Sequence, residues 1–139
     1  MTTIARRAAI GAAILYGLIA AFQLALALGA PWGKAAFGGA VEQPGLELRA
    51  SSILAVVIWS AAALIVLRRA RLGVWAPLPR KALPVAVWVL FAVSIVSTML
   101  NAITPSALER AIWLPFSLIL TGTLLVVAVS SRRAERVAR

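Results

Sequence analysis

Seven uncharged side chains carry what chemistry this chain offers inside its apolar runs. Ser94, Ser97, Thr98 and Asn101 recur at i, i+3, i+4 and i+7, which places them on one face of a helix. Gln23 lies in an earlier run, and Ser117 and Thr121, four residues apart, lie in a later one. Hydroxyls and amides at such positions either hydrogen-bond one helix to another or line a pocket and hold a ligand. Nothing nearby would turn a hydroxyl into a nucleophile. The chain has no His, no Cys and no Asp, so Ser-His-Asp and Cys-His catalysis, thiolate redox chemistry, ordinary haem ligation and a zinc site are all excluded. Its four acidic residues are Glu42, Glu47, Glu109 and Glu135, and none lies deep in an apolar run, so a proton relay is not expected. No phosphate-binding glycine motif is present. The expectation is a protein without enzymatic activity, without a cofactor and without a metal.

The elements that position these residues are set by composition. Hydrophobic residues make up 63% of the chain and charged ones 13%, with a mean hydropathy of +0.99. Soluble domains carry about a quarter charged residues. At 139 residues the chain is too short to bury so much apolar surface within itself. Its solvent must be lipid. Four apolar runs predict a single all-α domain over residues 1–139, a four-helix transmembrane bundle with helices over about 8–30, 46–68, 82–101 and 107–131. The first run also resembles a signal peptide, but it is longer than the usual apolar core of roughly 7–15 residues, and a retained span is expected. Pro44 and Pro84 suit first turns. Asn101 is read as closing the third helix. Ser106 and Glu109 match a capping box at the start of the fourth.

The net charge of +10 does not point to nucleic acid, because the cations flank apolar runs. Eleven of the fourteen fall at one end of the predicted bundle: Arg6 and Arg7, then Arg68, Arg69, Arg71, Arg80 and Lys81, then Arg132, Arg133, Arg136 and Arg139. Lys34, Arg49 and Arg110 fall at the other. By the positive-inside rule both termini are expected in the cytoplasm of a bacterial cell, N-in and C-in across the inner membrane. The stretch from Gly29 to Arg49 would then face outward. It holds five of the nine glycines and two of the four glutamates, and it reads as a lid over the polar half of the bundle.

Under that lid the residues expected to meet are Gln23, Ser97, Thr98, Asn101, Ser117 and Thr121, rimmed by Trp32, Glu47, Arg49, Glu109 and Arg110. Arg49 and Arg110 could hold an anionic lipid headgroup or pair with the glutamates; Glu109 could also pair with Arg49. Trp32, Trp75 and Trp113 read as interfacial anchors, and Trp59 and Trp88 as packing residues. In the first helix Ala9, Ala13, Gly17, Ala21, Ala25 and Gly29 recur every four residues. That row serves either close packing within the bundle or a homo-oligomer seam through Ala13, Gly17, Ala21 and Ala25. The partners expected are the bilayer itself, a second copy through this row, and a protein or lipid at the outer face. Two function classes follow: a non-enzymatic binding protein with an outward-facing pocket, or a small transporter or channel formed by oligomerisation.

Pro31-Trp32-Gly33, Gly38-Gly39, Leu48-Arg49, and Asn101 through Glu109-Arg110 together resemble a family of small bacterial integral membrane proteins. Those proteins have four spans and a Pro-Trp-Gly/Gly-Gly first loop, and many come from actinobacteria and other high-GC groups. The resemblance implies the four-span topology over nearly the whole chain and carries no activity with it.

Overall fold

The computed structural model describes residues 2–137, with side chains as far as Ser130. Four long helices, α1 (Thr3–Ala27), α2 (Leu46–Arg69), α3 (Leu83–Ile103) and α4 (Ala107–Val137), make up an all-helical bundle. Each is long and apolar enough to cross a membrane, at about 1.5 Å per residue against a hydrocarbon core of about 30 Å. Large apolar side chains cover the outside, among them Leu18, Ile53, Val57, Val96, Leu118 and Ile119, each more than half exposed. That surface has no partner among the described residues, as expected of a multi-pass membrane protein whose solvent is lipid.

The helices pack in ring order, α1 on α2, α2 on α3, α3 on α4 and α4 on α1. Of these contacts, α2 on α3 is the sparsest. The bundle is closed at one end and looser at the other. Its apolar core lies toward the arginine-rich end, where Ala9, Ala12, Val66, Val87, Leu124 and Val127 are almost wholly buried. Toward the other end, α2 turns most of its surface outward, and Ile53, Leu54 and Val57 are all exposed.

The helix ends follow local chemistry, and several lie away from their predicted positions. α1 begins at Thr3, not near residue 8, because Thr2 caps it: the Thr2 hydroxyl accepts a hydrogen bond from the Ala5 amide. Arg6 and Arg7 therefore lie in its first turns. α1 ends at Ala27 in a Schellman turn. Gly29 adopts φ 97°, its amide donates to Leu26 O, and the Ala30 amide donates to Ala25 O. α2 ends in the same motif with Arg71 at φ 59° in the glycine position. Asn101 does not close α3. The helix runs on to Ile103 and stops where Pro105 forces Thr104 into extended backbone, which leaves the Asn101 side chain pointing at α4. α4 continues past residue 131 to Val137 and contains Pro115, which removes the donor for the Ala111 carbonyl. The charged side chains of the expected basic tail, Arg132 to Arg139, lie outside the described residues.

The four-residue row of α1 does not pack within the bundle as a row. Ala9 is buried, but Gly17 and Ala21 are exposed, and a Cβ on Gly17 would meet nothing within 4 Å. A spacing of four drifts around a helix by about 40° per step, so the row leaves the interface it starts in. The buried line of α1 is instead Ala5, Ala9, Ala12, Tyr16 and Ala20, whose mixed spacing of three and four stays on one side.

Candidate functional site

Three helical stripes converge below the loop that joins α1 to α2. Tyr16, Ile19 and Gln23 come from α1. Ser94, Ser97 and Asn101 come from α3. Trp113, Phe116, Ser117 and Leu120 come from α4. Each stripe keeps a spacing of three or four, so each presents one face. Together with Phe22, and with Trp59 from α2, they enclose a cavity of about 270 Å³, at the small end of ligand pockets, which run to roughly 300–1,000 Å³. Six aromatic rings line it, those of Tyr16, Phe22, Phe37, Trp59, Trp113 and Phe116. Tyr16 stacks on Trp59 with ring centroids 5.6 Å apart, and Trp113 meets Phe22 edge-on at 4.9 Å and Phe116 at 5.4 Å. Val93 and Leu100 also line the cavity and are 41% and 58% exposed. The cavity therefore reaches the bundle surface on that flank of α3, in the half where α2 stands away.

The loop forms the roof, and glycine makes its path possible. Phe37, Gly38 and Gly39 follow one another at φ 53°, 72° and 76°, a left-handed turn that only glycine adopts at low cost. Phe37 takes the strain, about 1–2 kcal/mol for a non-glycine residue, and its ring lines the cavity beside buried Ala36. Gly33 is needed for closeness: a Cβ there would lie 2.4 Å from Val41 O. The loop closes on itself through Gly33 N–H to Glu42 O at 3.0 Å and a Lys34–Glu42 ion pair. Both partners of that pair are well exposed, so it contributes less than about 1 kcal/mol.

Three bonds tie this roof to α4. The Trp113 indole N–H donates to Ala35 O at 2.6 Å. The Gly38 amide donates to a Glu109 carboxylate oxygen at 3.4 Å, and the Ser106 hydroxyl to Lys34 O at 3.4 Å. Gly39 packs so closely on Ser106 that an added Cβ would sit 2.7 Å from it. Trp113 is thus a wall and a latch of the cavity. The capping box is half formed. Ser106 Oγ accepts from the Glu109 amide at 3.2 Å, but the Glu109 carboxylate turns away to accept from the Thr104 hydroxyl and from Gly38.

The predicted residues divide into two groups. Gln23, Ser97, Asn101, Glu109 and Ser117 line the cavity. Trp32, Arg49, Thr98, Arg110 and Thr121 do not. Thr98 and Thr121 bond each other at 3.2 Å and join α3 to α4. Trp32 lies half exposed against Phe22. The expected Arg49–Glu109 pair does not form: Arg49 Nε donates to Ala27 O at 2.8 Å, neutralising the negative end of α1. Arg110 donates to Thr104 O. The glutamate that does form a salt bridge is Glu42, with Lys34. Both cations serve helix ends because the carbonyls there are nearer than any carboxylate.

Within the cavity, hydrogen-bonding capacity is unevenly used. Asn101 Nδ2 donates to Trp113 O at 3.3 Å and to Ser117 Oγ at 3.4 Å. Ser94 and Ser117 donate back to carbonyls of their own helices, Phe91 O and Leu114 O. The Gln23 amide and the Ser97 hydroxyl have no such partner among the described residues. No group of His, Cys, Asp or Glu that could hold a metal ion occurs among the described residues. The wall can hold an apolar body and hydrogen-bond a polar end.

Sequence reasoning did not find the aromatic wall. Its signal was present, because Tyr16–Gln23 and Trp113–Ser117–Leu120 follow the same spacing as the α3 stripe. No family model matches the chain, no curated protein matches it and no solved structure matches it.

Proposed function

We propose that the protein is a non-enzymatic integral membrane protein that binds a small apolar or amphipathic ligand in the cavity beneath the loop. The observation that carries this reading is a cavity walled by aromatic rings in which the Gln23 amide and Ser97 hydroxyl keep donors and acceptors unspent. Groups that served only helix packing would be bonded to a neighbouring helix, as Thr98 and Thr121 are. The latched roof hinders entry from water, and exposed Val93 and Leu100 favour entry from the side, where lipid lies. The charge asymmetry supports a bacterial inner-membrane protein with both termini in the cytoplasm and the loop outside.

The test is to fill the cavity. In native mass spectrometry from mild detergent, the purified protein should carry a bound small molecule or lipid. Ser97→Phe should release it while thermal stability stays near that of the parent. Equal retention by both proteins overturns the reading. The rival reading, a transporter or channel assembled from several copies, draws on the exposed Gly17 and Ala21 face of α1. The packed core at the arginine end opposes a path through a single copy. Robust solute flux in liposomes containing the purified protein would favour the rival.

A further inference from the structure

The opposite end of the bundle has a second concavity, of about 860 Å³, between the end of α2 and the start of α3. Four arginines line it, Arg68, Arg69, Arg71 and Arg80, and among the described residues no acidic one does. Flanking charges of a membrane helix ordinarily spread into solvent, as Arg6 and Arg7 do. Arg71 and Arg80 are exposed as well, but with Arg68 and Arg69 they line one concavity. Arg68 Nη1 donates to Ala76 O at 2.9 Å, which ties the connection between α2 and α3 back onto α2. Arg71 stands at φ 59°, the position where a Schellman turn favours glycine. A large cation is thus kept at a backbone geometry that costs it about 1–2 kcal/mol. Arg80 reaches the same concavity from the turn that precedes α3, Arg80–Ala82. Exposed Trp75 and buried Leu83 complete the rim, placing the cradle where the helices leave the hydrocarbon.

Guanidinium groups match the oxygens of a phosphate in pairs, and their charge persists at any physiological pH. Basic pockets between membrane helices at the interface suit anionic headgroups. We propose that this cradle binds the phosphate of an anionic bilayer lipid, held by Arg71 and Arg80 from opposite sides while Arg68 keeps the connection in place. The site is independent of the cavity beneath the loop.

The experiment uses the full chain in nanodiscs of phosphatidylcholine with a minor share of phosphatidylglycerol or cardiolipin, followed by native mass spectrometry of the released protein. Anionic lipid should be retained over phosphatidylcholine by about tenfold or more relative to its share, since each interfacial cation contributes on the order of 1 kcal/mol. Arg71→Gln with Arg80→Gln should abolish that enrichment, and Arg71→Lys with Arg80→Lys should restore part of it and report a folded protein. Arg6→Gln with Arg7→Gln removes the same charge from the same end and should leave enrichment within about twofold. No enrichment by the parent overturns the proposal. Equal loss in the Arg6/Arg7 variant overturns it too, since the effect would then be diffuse charge. If millimolar inorganic phosphate displaces the lipid and stabilises the protein alone to the same extent, the ligand is a soluble phosphate and the lipid assignment fails.

Discussion

The two halves of this bundle are built from the same four helices and solve different problems. At the arginine end, alanines on α1 let Val66, Val87, Leu124 and Val127 interlock, and the interior is filled. At the loop end, large rings stand where small residues would have let the helices close, and space remains. In lipid the hydrophobic effect does not drive one helix onto another, so contact must come from shape and hydrogen bonds. The filled half uses shape. The open half uses hydrogen bonds to position its helices and a latched loop to close its top. Rigidity is concentrated away from the cavity, where it can hold the helix spacing without occupying the site.

The largest effect should come from breaking the filled half. Leu124→Ala, at a fully buried position, should cost about 2–4 kcal/mol through the void it leaves. Leu100→Ala, on the exposed flank of the cavity, should cost less than about 1 kcal/mol. Reversible unfolding in mixed micelles measures both, and equal costs would erase the distinction between the halves. Next comes the latch. Gly39→Ala forces a Cβ to within 2.7 Å of Ser106 at φ 76° and should cost about 1–3 kcal/mol, read as faster proteolysis within the loop. Adding Ser106→Gly removes the clash and should recover part of the loss, since glycine remains an acceptable helix cap. The smallest effect sharpens the contrast between the two polar groups. Thr98→Val should cost only about 0.6 kcal/mol, the typical value of an interhelical bond in a membrane, and should leave ligand retention unchanged.

Much of this was legible in the amino-acid order. Length and apolarity placed four helices, and the spacing of Ser94, Ser97 and Asn101 placed one wall of the cavity. The loop of Gly33, Gly38 and Gly39 read as a lid, and the structure shows it bonded to Trp113, Glu109 and Ser106. What escaped had a common cause. Sequence spacing shows which residues share a face, not which face meets which helix. Gln23 and Asn101 both line the cavity, but Thr98, one residue along from Ser97, turns toward α4 instead. Arg49 and Arg110 were read by charge, so glutamates were expected as partners, yet backbone carbonyls at helix ends outnumber carboxylates in so glutamate-poor a chain. Arg71 at a left-handed position has no sequence signal, because glycine is the residue that marks such turns.

The ties of the loop also set an order of assembly. Arg49 secures the end of α1 as soon as α2 has been made, so the first hairpin can hold its shape in the membrane before the rest of the chain emerges. All three latches on the roof come from residues 106 to 113, at the beginning of the last helix. The roof therefore cannot close until the start of α4 has been made. A chain stopped before α4 would present an unlatched, glycine-rich loop, so closure of the loop reports that α4 has joined the bundle.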